Sequence, residues 1–183
     1  MDDQDPLATE DSAGRSNYAA RTHGTGFDGR AGLGLELYVR PDDDLAICPY
    51  DAARYSGIHV CLRGQGPVDL LLRTSATQPE RWGGCCNEDT TSCNDHFMTT
   101  FELTDQWECY DRGWGEFSQG GFGDPADLDP SRLIGFSFQA PTPNGEDFDI
   151  WVDDLAFWGD TEPAGGAGGA GGAAGYAGAP GTG

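Results

Sequence analysis

Cys85, Cys86, Cys93 and His96 bring three thiols and an imidazole into one short stretch, the donor types of a tetrahedral zinc site. The spacing argues against zinc: adjacent Cys cannot easily both ligate one tetrahedral ion, and the two-residue gap of zinc motifs is missing from the pair. A disulfide-stapled loop suits the same residues better. Six Cys in a small acidic chain with only 2 Met fit an oxidising compartment. Cys93 with Cys85 or Cys86 closes a short ring, and Cys61 and Cys109 pair with each other or with Cys48.

Asp153 and Asp154 are the second anomaly. They sit side by side in Phe148-Asp149-Ile150-Trp151-Val152-Asp153-Asp154-Leu155-Ala156-Phe157, an otherwise apolar closing strand. Two acids there cost several kcal/mol to desolvate unless a metal or an Arg receives them, or unless both sit at a strand end in water. The acid run Asp42-Asp43-Asp44 after Pro41 reads as a solvated loop, with calcium ligation as the alternative.

No catalytic motif is present. There is no Gly-x-Ser-x-Gly elbow, no His-Glu-x-x-His and no phosphate loop, and the 3 His are scattered. With 31 acids some carboxylate pair of glycosidase type is inevitable by number alone. The formal charge of -21 excludes a nucleic-acid partner, which needs basic surface, and argues equally against anionic membranes. No run approaches eighteen apolar residues, so no membrane insertion is expected. All 10 basic residues are Arg, a bias from which no function follows.

The elements that must position these side chains are strands. Alternation of apolar and polar residues predicts them at 18–22, 33–39, 55–64, 68–74, 99–103, 106–110, 133–139 and 148–157, separated by Gly, Pro and Asp. Gly24, Gly26, Gly29 and Gly32 mark a long turn before the second. Residues 75–98 form a long loop, which inside one domain is usually functional or cross-linked. The reading is all-β: a sandwich or jelly roll of about eight strands, with no convincing helix.

Three regions follow: an acidic leader or remnant over 1–16, one sandwich domain over 17–160, and a Gly/Ala tail over 161–183 that cannot build a core. No basic-then-apolar leader is visible at Met1 to Pro6, so the expected secreted or surface address implies either a leader already removed or an internal start.

Gly64-Gln65-Gly66-Pro67 reads as a tight turn joining 55–64 to 68–74 as antiparallel neighbours. On that register His59, Arg63, Asp69 and Arg73 merge into one polar strip, to which Ser137 and Gln139 add from another strand. Trp82, Asp95 and His96 stand on the long loop. A rigid sheet with a polar face, loop aromatics (Trp82, Trp114, Phe122) and no catalytic motif has the parts for sugar recognition: rings stack on apolar sugar faces, and fixed polar groups take the hydroxyls. Trp107, Tyr110 and Phe122 are read as packing residues, while Trp82 suits either role.

Five segments, Tyr50 to Ile58, Cys93 to Phe97, Leu103 to Trp107, Gln119 to Gly123 and Phe148 to Asp154, together resemble the galactose-binding-domain-like jelly rolls found as carbohydrate-binding modules of bacterial secreted or surface proteins. The resemblance runs from about Asn17 to Trp158. It implies a glycan site on a concave sheet face and a structural Ca2+ near the first and last strands, with Asp153 or Asp154 at the closing-strand ligand position. Members usually begin with an acidic Asp-Phe-Glu-Asp-like strand that supplies another ligand. Nothing before Asn17 matches it, so the chain is expected to lack that strand. The expected function is non-catalytic binding of a polysaccharide or glycan, by a monomer or a module of a larger protein. The alternatives are a scaffold or adhesion domain without a glycan ligand and, behind it, a glycoside hydrolase-associated domain, since such folds also serve in assembly.

Overall fold

Eight strands form where side chains alternate between core and solvent: β1 (Ala20–Gly24), β2 (Gly29–Glu36), β3 (Gly57–Gly64), β4 (Gly66–Thr74), β5 (Phe97–Leu103), β6 (Glu108–Gly113), β7 (Leu133–Thr142) and β8 (Phe148–Trp158). The computed structural model describes residues 18–37, 49–88 and 93–159. Among them there are short 3-10 turns but no α-helix. The expected leader, the Pro41 to Asp44 break, Cys48 and the Gly/Ala tail lie outside the described residues.

The strands make two antiparallel sheets, β1-β8-β3-β6 and β2-β7-β4-β5. Successive strands alternate between the sheets, except that β4 and β5 pair with each other. Chain neighbours therefore face one another across the core, which is the jelly-roll arrangement. The inner faces supply Ile58, Val60 and Leu62 from β3, Val68, Leu70 and Leu72 from β4, Phe136 and Phe138 from β7, and Ile150 and Val152 from β8. Phe138 is completely buried, so its truncation to Ala would cost about 3–5 kcal/mol.

This topology corrects the polar strip. β3 and β4 do not pair: they belong to different sheets, joined by a corner in which Gln65 alone separates them. Glycine is required on both sides of it. A Cβ on Gly64 would stand 2.1 Å from the Asp149 carbonyl oxygen, and Gly66 has φ +74°, a conformation that costs other residues free energy. His59 and Arg63 consequently lie on the outer face of one sheet, and Asp69 and Arg73 on the outer face of the other. The short connection at Thr104-Asp105 is likewise a crossing between sheets, since β5 and β6 do not pair.

β2 begins four residues before the predicted start, because Gly29 and Gly32 are strand residues rather than turn residues. In β8 the register against β3 shifts: Cys61 opposes Asp153 and His59 opposes Ala156, with Asp154 at φ +51°. This β-bulge resets the alternation. Ile150, Val152, Leu155 and Phe157 all pack on the core, where simple alternation along 148–157 would put Leu155 and Phe157 with Trp151 on the opposite side from Ile150 and Val152. Both adjacent acids are thereby turned to the outer face, where Asp153 is nonetheless buried.

Two disulfides staple the sandwich. Cys61–Cys109 bridges β3 to β6, and Cys86–Cys93 closes the loop between β4 and β5. Each is one of the pairings left open by the sequence. Cys85 is an exposed free thiol.

Candidate functional site

The outer face of β2-β7-β4-β5 gathers Asp69, Arg73, Ser137 and Gln139 of the polar residues singled out from the sequence. Asp69 stands opposite Gln139 on one side and Thr100 on the other. Although only 7% exposed, it is well partnered: Arg30 Nη1 donates to Oδ2 at 2.5 Å and Thr100 Oγ1 to Oδ1 at 2.6 Å. Gln139 donates through Nε2 to Ser137 Oγ at 3.0 Å. Leu71 occupies the next row, between Ser137 and Met98.

Arg73 closes the array. Its Nη1 donates to Glu36 Oε1 at 2.7 Å, and Nη2 to the carbonyls of Leu35 and Phe136 at 3.1 and 3.4 Å. Nε is buried without a hydrogen-bond partner. His96, one residue before β5, receives or donates a hydrogen bond between Nδ1 and Thr77 Oγ1 at 2.8 Å. Burial first, and the Arg73 charge second, push its imidazole down to about 4, with Asp95 opposing them. At neutral pH the face therefore carries an uncharged imidazole beside a guanidinium.

The β2 side of this face has no side chains where Gly32 opposes Gln139 and Gly34 opposes Ser137. Both glycines are exposed. The result is a backbone floor bordered by Arg30, Asp69, Gln139 and Ser137, with donors and acceptors at its rim. Such an arrangement can take a flat, hydroxyl-rich ligand.

Two loops stand at the end of this face where β4 finishes and β5 begins. Asp95 is buried and turned away from the sheet face into the glycine loop: Gly120 N donates to Oδ1 at 2.8 Å, and Gly121 N and Gly123 N donate to Oδ2 at 2.9 and 3.0 Å. Burial drives this carboxyl up, but the N–H groups of Gly123, Gly120, Gly121 and Phe122 outweigh it and hold the group below its ordinary range. The loop so pinned presents Phe122 at 67% exposure, contrary to its reading as a packing residue. Trp82 is 56% exposed on the β4–β5 loop. Trp114, by contrast, donates its indole N–H to the Tyr55 carbonyl at 2.7 Å and packs near Phe117 and Phe157.

The opposite sheet holds the remaining nominees. Arg63 lies over the Trp151 ring at 4.8 Å, and Arg21 over the same ring at 4.5 Å. Arg21 also pairs with Asp149. Trp107 meets Trp151 edge-on at 6.4 Å. Here the cations cover a buried indole. His59 Nδ1 lies 2.7 Å from Asp111 Oδ1. Asp153 is buried, its Oδ1 accepting the N–H of Asp154 at 2.7 Å. Among the described residues the group of three metal-type donors is His59, Cys61 and Cys109, and it contains neither Asp153 nor Asp154. Two adjacent carboxylates, one already engaged by backbone, do not by themselves fit the six to eight oxygens that calcium takes.

Sequence reasoning missed Arg30, Glu36, Thr77 and Thr100. Arg30 lay inside a glycine run taken for a turn, whereas Thr100 sat on the outward positions of a strand already predicted and could have been found by extending the alternation to it.

No protein-family profile matches the chain, and no curated protein matches it either. Among solved structures, it is similar to the family 11 carbohydrate-binding module of a cellulosomal cellulase of Clostridium thermocellum, with 13% identity and a TM-score of 0.56 over 84% of this chain and 81% of that one. It is similar also to the family 11 module of Clostridium thermocellum in complex with a β-1,3-1,4-mixed-linked tetrasaccharide, with 14% identity and a TM-score of 0.56 over 82% and 81%. In fold, then, the chain is a jelly-roll β-sandwich like those of family 11 carbohydrate-binding modules.

Proposed function

We propose that the chain is a non-catalytic carbohydrate-binding module, working as a monomer or as part of a larger secreted or surface protein, which takes a polysaccharide or glycan on the outer face of β2-β7-β4-β5. One observation carries the reading: donors and acceptors from β2, β4 and β7 (Arg30, Asp69, Ser137, Gln139) border a floor that Gly32 and Gly34 leave bare. A sugar ring can approach such a floor closely while its hydroxyls exchange water for fixed polar partners. The bound tetrasaccharide of the similar module makes β-1,3-1,4-mixed-linked polysaccharides the first ligands to offer. On the opposite sheet Arg63 is committed to Trp151, which leaves that face less suited to a ligand.

A specific observation favours the scaffold reading as an alternative. Asp69 and Arg73 already have internal ion-pair partners in Arg30 and Glu36, so the array can be satisfied without a ligand. Isothermal titration against a panel of plant and microbial polysaccharides separates the two. Saturable binding lost in Arg73→Ala/Gln139→Ala and kept in Arg63→Ala is the expected result. A folded protein that ignores every polysaccharide would replace the module reading with the scaffold one. Calcium has no part in the proposed contacts, so binding should persist with a chelator present.

A further inference from the structure

On the outer face of the other sheet, His59, Cys61 and Cys109 bring one imidazole nitrogen and two sulfurs within 4.8 Å of one another. The three come from a two-strand ladder, because Cys61 opposes Cys109 and His59 opposes Asp111. β8 adds a fourth donor from the other side of β3: Asp154 Oδ2 lies 4.0 Å from Cys61 Sγ. It points there because of the bulge at Asp154.

The imidazole is oriented for ligation. Asp111 Oδ1 is 2.7 Å from Nδ1, and a carboxylate only accepts, so Nδ1 carries the proton. In the neutral ring Nε2 then presents its lone pair, 3.8 Å from Cys61 Sγ, to a sulfur that has no proton to give while it is in a disulfide. A carboxylate behind an imidazole behind a metal is the usual outer-shell arrangement of His-ligated zinc. Tetrahedral zinc with bonds of about 2.3 Å to each sulfur needs the two sulfurs about 3.8 Å apart. Rotation of the two Cys side chains supplies that separation once the S–S bond is open.

We propose that the Cys61–Cys109 staple is one state of a redox-gated site for a soft divalent cation of the zinc class, with His59 Nε2, Cys61 Sγ, Cys109 Sγ and Asp154 Oδ2 as ligands and Asp111 as the residue positioning His59. The chemistry balances as follows. A dithiol reductant gives two electrons and two protons to the disulfide and closes its own S–S bond. Zinc then displaces the two thiol protons to solvent and joins β3 to β6 in place of the S–S bond. The metal itself changes no oxidation state. The loop thiols weighed for zinc from the sequence are instead stapled, as that reading favoured, by Cys86–Cys93, and the structure gathers another donor set on the opposite sheet.

The test uses the full chain, reduced with a trialkylphosphine in metal-free buffer and titrated with Co2+, then Zn2+. One equivalent of cobalt should give the visible bands of tetrahedral coordination with thiolate charge transfer, and zinc should bleach them. The oxidised chain should give none. Because reduction also frees the loop thiols, the bands should survive in Cys85→Ser/Cys86→Ser/Cys93→Ser. Cobalt affinity should fall tenfold or more in His59→Ala, and by about tenfold in Asp111→Asn with the spectrum unchanged. In that loop-thiol variant, bands that persist on adding Cys61→Ser/Cys109→Ser, or that ignore His59→Ala, overturn the site. So does a reduced chain that keeps its β-sheet circular dichroism yet gives no bands. If reduction abolishes the sheet signal, its return on adding zinc supports the site, and failure to return overturns it.

Discussion

The guanidinium of Arg73 occupies the space that Gly135 leaves by having no side chain: a Cβ there would stand 2.4 Å from Nη2. Arg73 opposes Gly135 in the β4–β7 register, so the small residue on one strand sets the position of the cation on the next. The same Cβ would also meet the Leu35 carbonyl at 2.4 Å, and backbone cannot step aside as a flexible side chain can. Gly135→Ala should therefore cost about 1–3 kcal/mol by crowding and weaken polysaccharide binding about tenfold through loss of one charge-assisted hydrogen bond. Chemical denaturation and titration calorimetry on one sample check both. Unchanged affinity in a destabilised protein would remove Arg73 from the binding face.

His96 gives the fold a specific pH dependence. Its folded value of about 4 lies below the ordinary 6.5, so between those pH values the unfolded chain binds a proton that the folded one refuses. Stability must then rise with pH across that window and lose its His96 contribution as pH falls toward 4. The size is about 2 kcal/mol after allowing for partial exposure. His96→Gln should flatten this slope in urea midpoints measured from pH 4 to 7. A slope that survives belongs to another group.

How far the sequence was legible can be judged at Gly64-Gln65-Gly66. The alternation of Ile58, Val60 and Leu62 and of Val68, Leu70 and Leu72 located both strands and their core faces. Yet two strands whose apolar sides share a core can sit side by side in one sheet or face to face in two, and period-two patterning is the same in both cases. The strip of His59, Arg63, Asp69 and Arg73 depended on the first arrangement, and the chain adopts the second. At β8 the difficulty was a single residue: the bulge at Asp154 shifts every later side chain to the other face, and nothing in Asp153-Asp154 announces it. That Asp69, Arg73, Ser137 and Gln139 point outward was legible, because alternation fixes which strand positions face out, and the pairing of β4 with β7 brings them onto one face.

Asp95 tests whether the Phe122 loop matters to the ligand. Its carboxylate accepts N–H donors from Gly120, Gly121 and Gly123, which an Asn can only partly replace because one of its two groups is a donor. Asp95→Asn should cost about 2 kcal/mol. The group is held below the ordinary carboxylate range, so its contribution is present above about pH 4 and is lost as pH falls through the folded value. The Asn variant should accordingly show a shallower acid limb. If Phe122 contacts the glycan, affinity should fall together with loop order in amide exchange, and Phe122→Ala should reproduce the affinity loss without the change in stability.

The two disulfides should differ in what they contribute. Cys61–Cys109 closes a separation of 48 residues and Cys86–Cys93 one of 7. If each acts by restricting the unfolded chain, the longer loop is worth about 4 kcal/mol and the shorter about 2. Location reinforces the order. The first joins β3, at the centre of its sheet, to the edge strand β6, whereas the second lies in a loop outside the strands. Replacing both members of each pair with Ala, and comparing midpoints in guanidinium under metal-free conditions, should place the Cys61/Cys109 variant well below the Cys86/Cys93 one. The reverse order would mean that the β4–β5 loop, and with it the placement of His96 and Asp95, is the more cooperative part of the fold.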